Sequence, residues 1–246
     1  LTLSEFLCLA LPFAMHFARS EFRWIVRVIA ALTVPLTLYV IILTDARLGF
    51  VGFLITVMAM IFIWGFRQRH RNKTNPFWTA IVVSYPVFFC AMVAATFFVG
   101  RLRARVWGNG PQQFSTRSRI EQYNMGIPKI ITHPWGYGLT RANESLGYLD
   151  SGGFATIDSY YLTAGLEYGV LGFLIYFGMI FVAIYFAGKH CLSPDPLEDE
   201  YALLIPASVA LVNFVVIKSV FSQQDNHPII FMLLGMVAAL IWRIRN

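Results

Sequence analysis

The sequence predicts an all-α fold: a polytopic bundle of transmembrane helices interrupted by one long polar segment. Three observations carry that expectation. Of 246 residues, 57% are hydrophobic and only 13% charged, which departs from soluble domains in the direction of repeated apolar spans. The apolar residues fall in runs of roughly the 17–25 residues that a bilayer requires. Residues 100–158 stand apart as the only long polar stretch. A formal net charge of +6 alone would fit a nucleic-acid binder, but interrupted apolar spans are the stronger signal, and no nucleic-acid partner is expected.

Taken in order, apolar windows place spans at 3–18, 24–43, 48–66, 77–99, 159–187, 203–222 and 228–242, about seven in all. The first is short and carries Glu5 and His16, which makes it the weakest. Orientation follows from the basic residues of the short loops. Arg19, Arg23 and Arg27, then Arg67, Arg69, Arg71 and Lys73, then Lys189, then Arg243 and Arg245 form one set, against Arg47 and Lys218 in the other. The richer set is expected to be cytoplasmic. Alternation then puts 44–47, the long segment and 223–228 on the outer face. The acidic cluster Asp195, Glu198, Asp199 and Glu200 reads as a solvated loop face. Leu1 is neither an initiator methionine nor preceded by a basic leader, so the chain reads as one transmembrane domain, 1–246, of a larger protein with earlier spans.

Most chemistry-bearing residues outside the long segment have bland readings. Cys8, Cys90 and Cys191 show no metal-ligand spacing and no even-numbered framework. His70, His133 and His190 have no partner at ligand spacing, and His227 is a weak outer-facing candidate. None of the GxSxG, HExxH, P-loop or GxGxxG arrangements is present.

The segment 100–158 is therefore where function is expected. Ser118 and Glu121 have the spacing of a capping box, which would start a helix near Arg119 running to about Thr132. Ile120, Tyr123, Ile127, Ile130 and Ile131 would lay it on the membrane interface, and Pro128 argues for a kink or early break. Arg119 would then sit in the first turn, where free backbone amides and the helix dipole favour an anion. Its guanidinium fits a phosphate bidentately, or alternatively snorkels to lipid headgroups. Arg101, Arg103 and Arg105 follow a span directly and address either anionic membrane lipids or a lipid-linked substrate. Arg117 and Arg141 lie in the same segment and are likewise available to ligands. Arg47 either pairs with Asp45 or binds an anion.

Two acids mark the next span. Asp158, at its start, fits an N-cap. Glu167, a little over two turns deeper, is costly in a membrane and reads either as the partner of Lys218 or as a catalytic acid or base. Gly165, Gly169 and Gly172 would let neighbouring helices approach closely.

The ordered set TDARLGFVGF, SRIEQYNMGIPKIITHPWGYGL and DSYYLTAGLEYGVLGF resembles the C-terminal half of the O-antigen ligase and polymerase superfamily of bacterial polysaccharide assembly, well over residues 40–185. The resemblance implies an inner-membrane glycosyltransferase of GT-C-like build that needs no metal or nucleotide cofactor. It implies an undecaprenyl-pyrophosphate-linked glycan as substrate, contacted by arginines that match Arg47 and Arg119. A chain-length regulator and a flippase would be its partners. Lipid A core ligases carry a His-Asn pair where this chain has Asp158-Ser159, which resembles the polymerase branch and makes Asp158 a candidate general base. The rivals are a ligase that hands the glycan to a lipid or protein acceptor, and a transporter of anionic lipid-linked substrates.

Overall fold

The computed structural model describes residues 2–20, 23–44, 47–71, 75–98, 100, 113–150, 152–193 and 201–245. Among these the fold is helical throughout: α1 (Thr2–Arg19), α2 (Trp24–Leu43), α3 (Arg47–Arg71), α4 (Pro76–Phe98), α5 (Gln113–Thr132), α6 (Ala142–Leu146), α7 (Tyr160–Cys191), α8 (Leu204–Lys218) and α9 (His227–Arg245). The only strand-like pairing described is an isolated bridge between Leu149 and Ala155.

Each expected apolar window falls on one of these helices. Among the described residues, four stretches are long and apolar enough to cross a bilayer: Trp24–Leu43, Leu48–Arg71, Tyr160–Cys191 and His227–Arg245. Helix α4 is apolar over Pro76–Phe98, and Leu204–Lys218 is a shorter apolar stretch. For α8 the reason is that the chain leaves the helix at Ser219, so its 15 residues rise about 22 Å, short of the roughly 30 Å hydrocarbon layer. The spanning helices turn large apolar side chains outward. On α2, Trp24, Ile29, Leu32, Leu36, Tyr39 and Leu43 are all exposed, as lipid-facing residues are.

The chain divides into two compact units, with the boundary inside α7. In the first, residues 1–73 and 176–246, α1 packs on α2, α3 and α8, and α8 also packs on α3 and α9. Cys8, Ile41, Ile217 and Phe221 form one of its buried apolar clusters, and Gly52 lets α3 come against Cys8 and Ile217. Polar groups tie the same helices together. Lys218 Nζ lies 2.9 Å from Glu5 Oε1, both side chains wholly buried, and Asn213 Nδ2 donates to the Cys8 carbonyl. The acid that made the first window look weak is thus the residue that anchors α1.

In the second unit, residues 74–175, α5, α6 and the start of α7 enclose Ala142, Leu146, Ile157, Leu162 and Leu166. Tyr123 and Ile130 of α5 pack on that cluster, while Ile120, Ile127 and Ile131 stand exposed. Two glycines permit close contact between α5 and α7: a Cβ on Gly126 would meet Leu162, and one on Gly165 would meet Ile130. The approach expected of Gly165 is therefore made.

Candidate active site

Helix α5 overturns one expectation. It already runs from Gln113, so Ser118 and Glu121 lie inside the helix and do not cap it, and Arg119 is in its second turn. The free amides of a first turn are not available to Arg119. Pro128 does not end the helix either; Thr132, the last helical residue, donates its hydroxyl to the Pro128 carbonyl.

What Arg119 gains instead is a partner on α7's approach. Its Nε lies 3.8 Å from Asp158 Oδ2, with both side chains about one-third exposed (32% and 38%). One turn further, Gln122 Oε1 accepts the Asp158 backbone N–H at 3.0 Å, and the Tyr123 hydroxyl bonds the Ser159 hydroxyl at 2.7 Å. Positions 119, 122 and 123 share one face of a helix, so α5 grips two consecutive residues with three side chains. The Arg119 Nε atom is shielded from solvent and makes no hydrogen bond within the described residues. A shielded guanidinium nitrogen without a hydrogen bond is costly, and the anion beside it is the Asp158 carboxylate.

Asp158 stands two residues ahead of Tyr160, so the capping position expected for it belongs to Ser159. The Ser159 carbonyl starts the helix by accepting the Thr163 N–H at 3.1 Å.

Glu167 is buried and its Oε1 accepts the backbone N–H of Thr140 at 3.0 Å. Lys218, its other candidate partner by sequence, bonds Glu5 and the Gln223 carbonyl. A buried ammonium needs a carboxylate beside it, and α1 supplies one.

Just beyond Glu167, Gly169 adopts φ 68° and ψ −174°, a region essentially confined to glycine, and α7 is two helical runs meeting there. The loop after α5 fills the break. Tyr137 donates its backbone N–H to the Leu166 carbonyl at 2.7 Å, Gly138 to the Glu167 carbonyl at 3.1 Å, and Val170 to the Pro134 carbonyl at 2.9 Å. Gly136 and Gly169 cross so closely that a Cβ on either would collide with the other's backbone. Gly169 thus serves a loop crossing and not the helix packing expected of it.

Among the other expected site residues, Arg117 and Arg141 are exposed and Arg141 precedes α6. Arg47 opens α3, but its side chain lies outside the described residues, as do Arg101 and Arg105 entirely. Lys129 is committed to structure, donating to the carbonyls of Ser145 and Leu146 at the end of α6. Sequence reasoning missed Gln122, Tyr123 and Ser159; their one signal was the three- and four-residue spacing of Gln122 and Tyr123 from Arg119.

Four apolar helices of spanning length, with lipid-facing side chains, define the class of protein: a multi-pass membrane protein. The O-antigen ligase family matches residues 28–177, more than half of the chain, and the chain belongs to that family. The match runs from α2 into α7 and takes in Arg119, Asp158 and Glu167. The resemblance to ligases and polymerases of O-antigen assembly is thereby borne out. Neither the comparison with curated proteins nor that with solved structures returns a match.

Proposed function

We propose that this protein is a bacterial inner-membrane glycosyltransferase that transfers a glycan from an undecaprenyl-pyrophosphate carrier, extending O-antigen or exopolysaccharide on the outer face. The observation that carries this reading is the shielded, unbonded Nε of Arg119 beside Asp158, in a chain of this family.

The acceptor sugar hydroxyl attacks the anomeric carbon as the bond from that carbon to the diphosphate oxygen breaks. The bonding pair leaves with the diphosphate, and Arg119 stabilises its growing charge; the about 3–4 kcal/mol that such a donor contributes in a water-excluded site is an upper bound for a side chain one-third exposed. The diphosphate draws the guanidinium from Asp158, and the released carboxylate takes the hydroxyl proton. Arg47 is proposed as a phosphate ligand on the resemblance alone, and Arg101, Arg105, Arg117 and Arg141 as further anion contacts. The basic loops that orient the spans support an outer position for the segment containing α5.

A ligase is the second reading, favoured by the family match; Asp158-Ser159 in place of a His-Asn pair favours polymerisation. Arg119→Ala in the full-length protein tests the shared mechanism. The long-chain surface glycan should vanish from gels while the protein accumulates normally, and an unchanged ladder sinks the reading. Loss of attachment with long glycan still building up on the carrier identifies a ligase.

A further inference from the structure

The loop between α5 and α6 is held to α7 by more than packing, and Glu167 is at the centre of the grip. Its main-chain carbonyl accepts from Gly138 at 3.1 Å, and its side-chain Oε1 accepts from Thr140 at 3.0 Å. Thr140 has φ 65°, a left-handed conformation that a β-branched residue adopts only when its surroundings hold it there. Glu167 is 5% exposed, inside a helix apolar enough to span the membrane, where an ionisable group is costly and needs a purpose.

We propose that Glu167 is a positioning residue: it latches loop 133–141 into the break of α7 and so fixes the distance from α5 to α7 at which Arg119 meets Asp158. The helix α5 is joined to α7 at two levels. Arg119, Gln122 and Tyr123 hold Asp158 and Ser159, and the loop after α5 holds Leu166, Glu167 and Val170. Loosening the second level frees the carboxyl end of α5. Accepting an amide N–H requires an oxygen and not a charge, so a glutamine can do the same work. This separates the latch from the general acid or base that Glu167 otherwise suggests.

For its activity readout the inference rests on the proposed glycosyl transfer, so a second readout is independent of activity. In full-length protein, Glu167→Ala should speed hydrogen exchange of the Thr140 amide by about tenfold, the worth of one such hydrogen bond. The long-chain glycan should shorten or disappear. Glu167→Gln should restore slow exchange and the wild-type ladder. Unchanged exchange in Glu167→Ala overturns the latch, and so does a Glu167→Gln protein that protects the loop yet makes no glycan. Where neither variant accumulates, Thr140→Pro removes the N–H and forbids the positive φ; it should lose the ladder, and an intact ladder overturns the proposal. If Arg119→Ala leaves glycan unchanged while Glu167→Ala still frees the loop, the glycosyl-transfer reading fails and the latch stands.

Discussion

Lys218 Nζ sits 2.9 Å from Glu5 Oε1, with neither side chain reaching solvent, and the pair joins α1 to α8. Removing one member of such a pair strands a buried charge and costs about 3–5 kcal/mol, whereas replacing both with apolar residues of similar volume is often close to neutral. Lys218→Met and Glu5→Leu should each lower the apparent melting temperature in detergent sharply. The double variant should recover most of the loss. Additive losses in the double-mutant cycle would refute the pairing.

Gly136 and Gly169 cross with no room for a Cβ, and both have positive φ. Alanine at Gly169 enters a backbone region with a penalty of order 1–3 kcal/mol before the collision with Pro134 is counted. Gly169→Ala and Gly136→Ala should both reduce folded yield on size exclusion, while Gly178→Ala, with open space around it, should not. Equal yields for all three would exclude the crossing.

The Tyr123 hydroxyl bonds Ser159, and Lys129 holds the last carbonyls of α6. Tyr123→Phe removes one neutral hydrogen bond, about 0.5–1.5 kcal/mol, and Lys129→Met removes two charge-assisted ones, about 1.5–3 kcal/mol each at most. Melting curves should rank Lys129→Met as the more damaging. A reversed order would mean that the α6 cap is not populated.

Arg117 and Arg141 are exposed, unlike the Arg119 Nε. Interactions of exposed charges are screened and contribute about 0–1 kcal/mol. Single glutamine replacements at 117 and 141 should therefore leave the glycan ladder nearly intact, with Arg119→Gln far more severe. Densitometry of surface glycan from matched expression levels checks the ranking.

The site was legible in parts, and the parts differ physically. Arg119 and Asp158 were visible because charges in a greasy chain are rare. Their contact was not, since nothing in local spacing says which distant carboxylate a guanidinium meets. The capping box misled because Ser118 and Glu121 satisfy a local rule equally well inside a helix that began earlier. Glu167 was flagged by cost alone, and a backbone amide, which no side-chain pattern reveals, proved to be among its partners.

By itself the sequence determined the helical class, the membrane setting, the positions of the long apolar helices and the family. Those properties follow from apolar run length and residue identity, which are local. Only the tertiary structure decided that Lys218 belongs to Glu5, that α7 breaks at Gly169 around the loop from α5, and that Arg119 faces Asp158. Such choices depend on which surfaces meet once the chain is packed, where each buried polar group takes whatever partner the neighbouring element brings within reach.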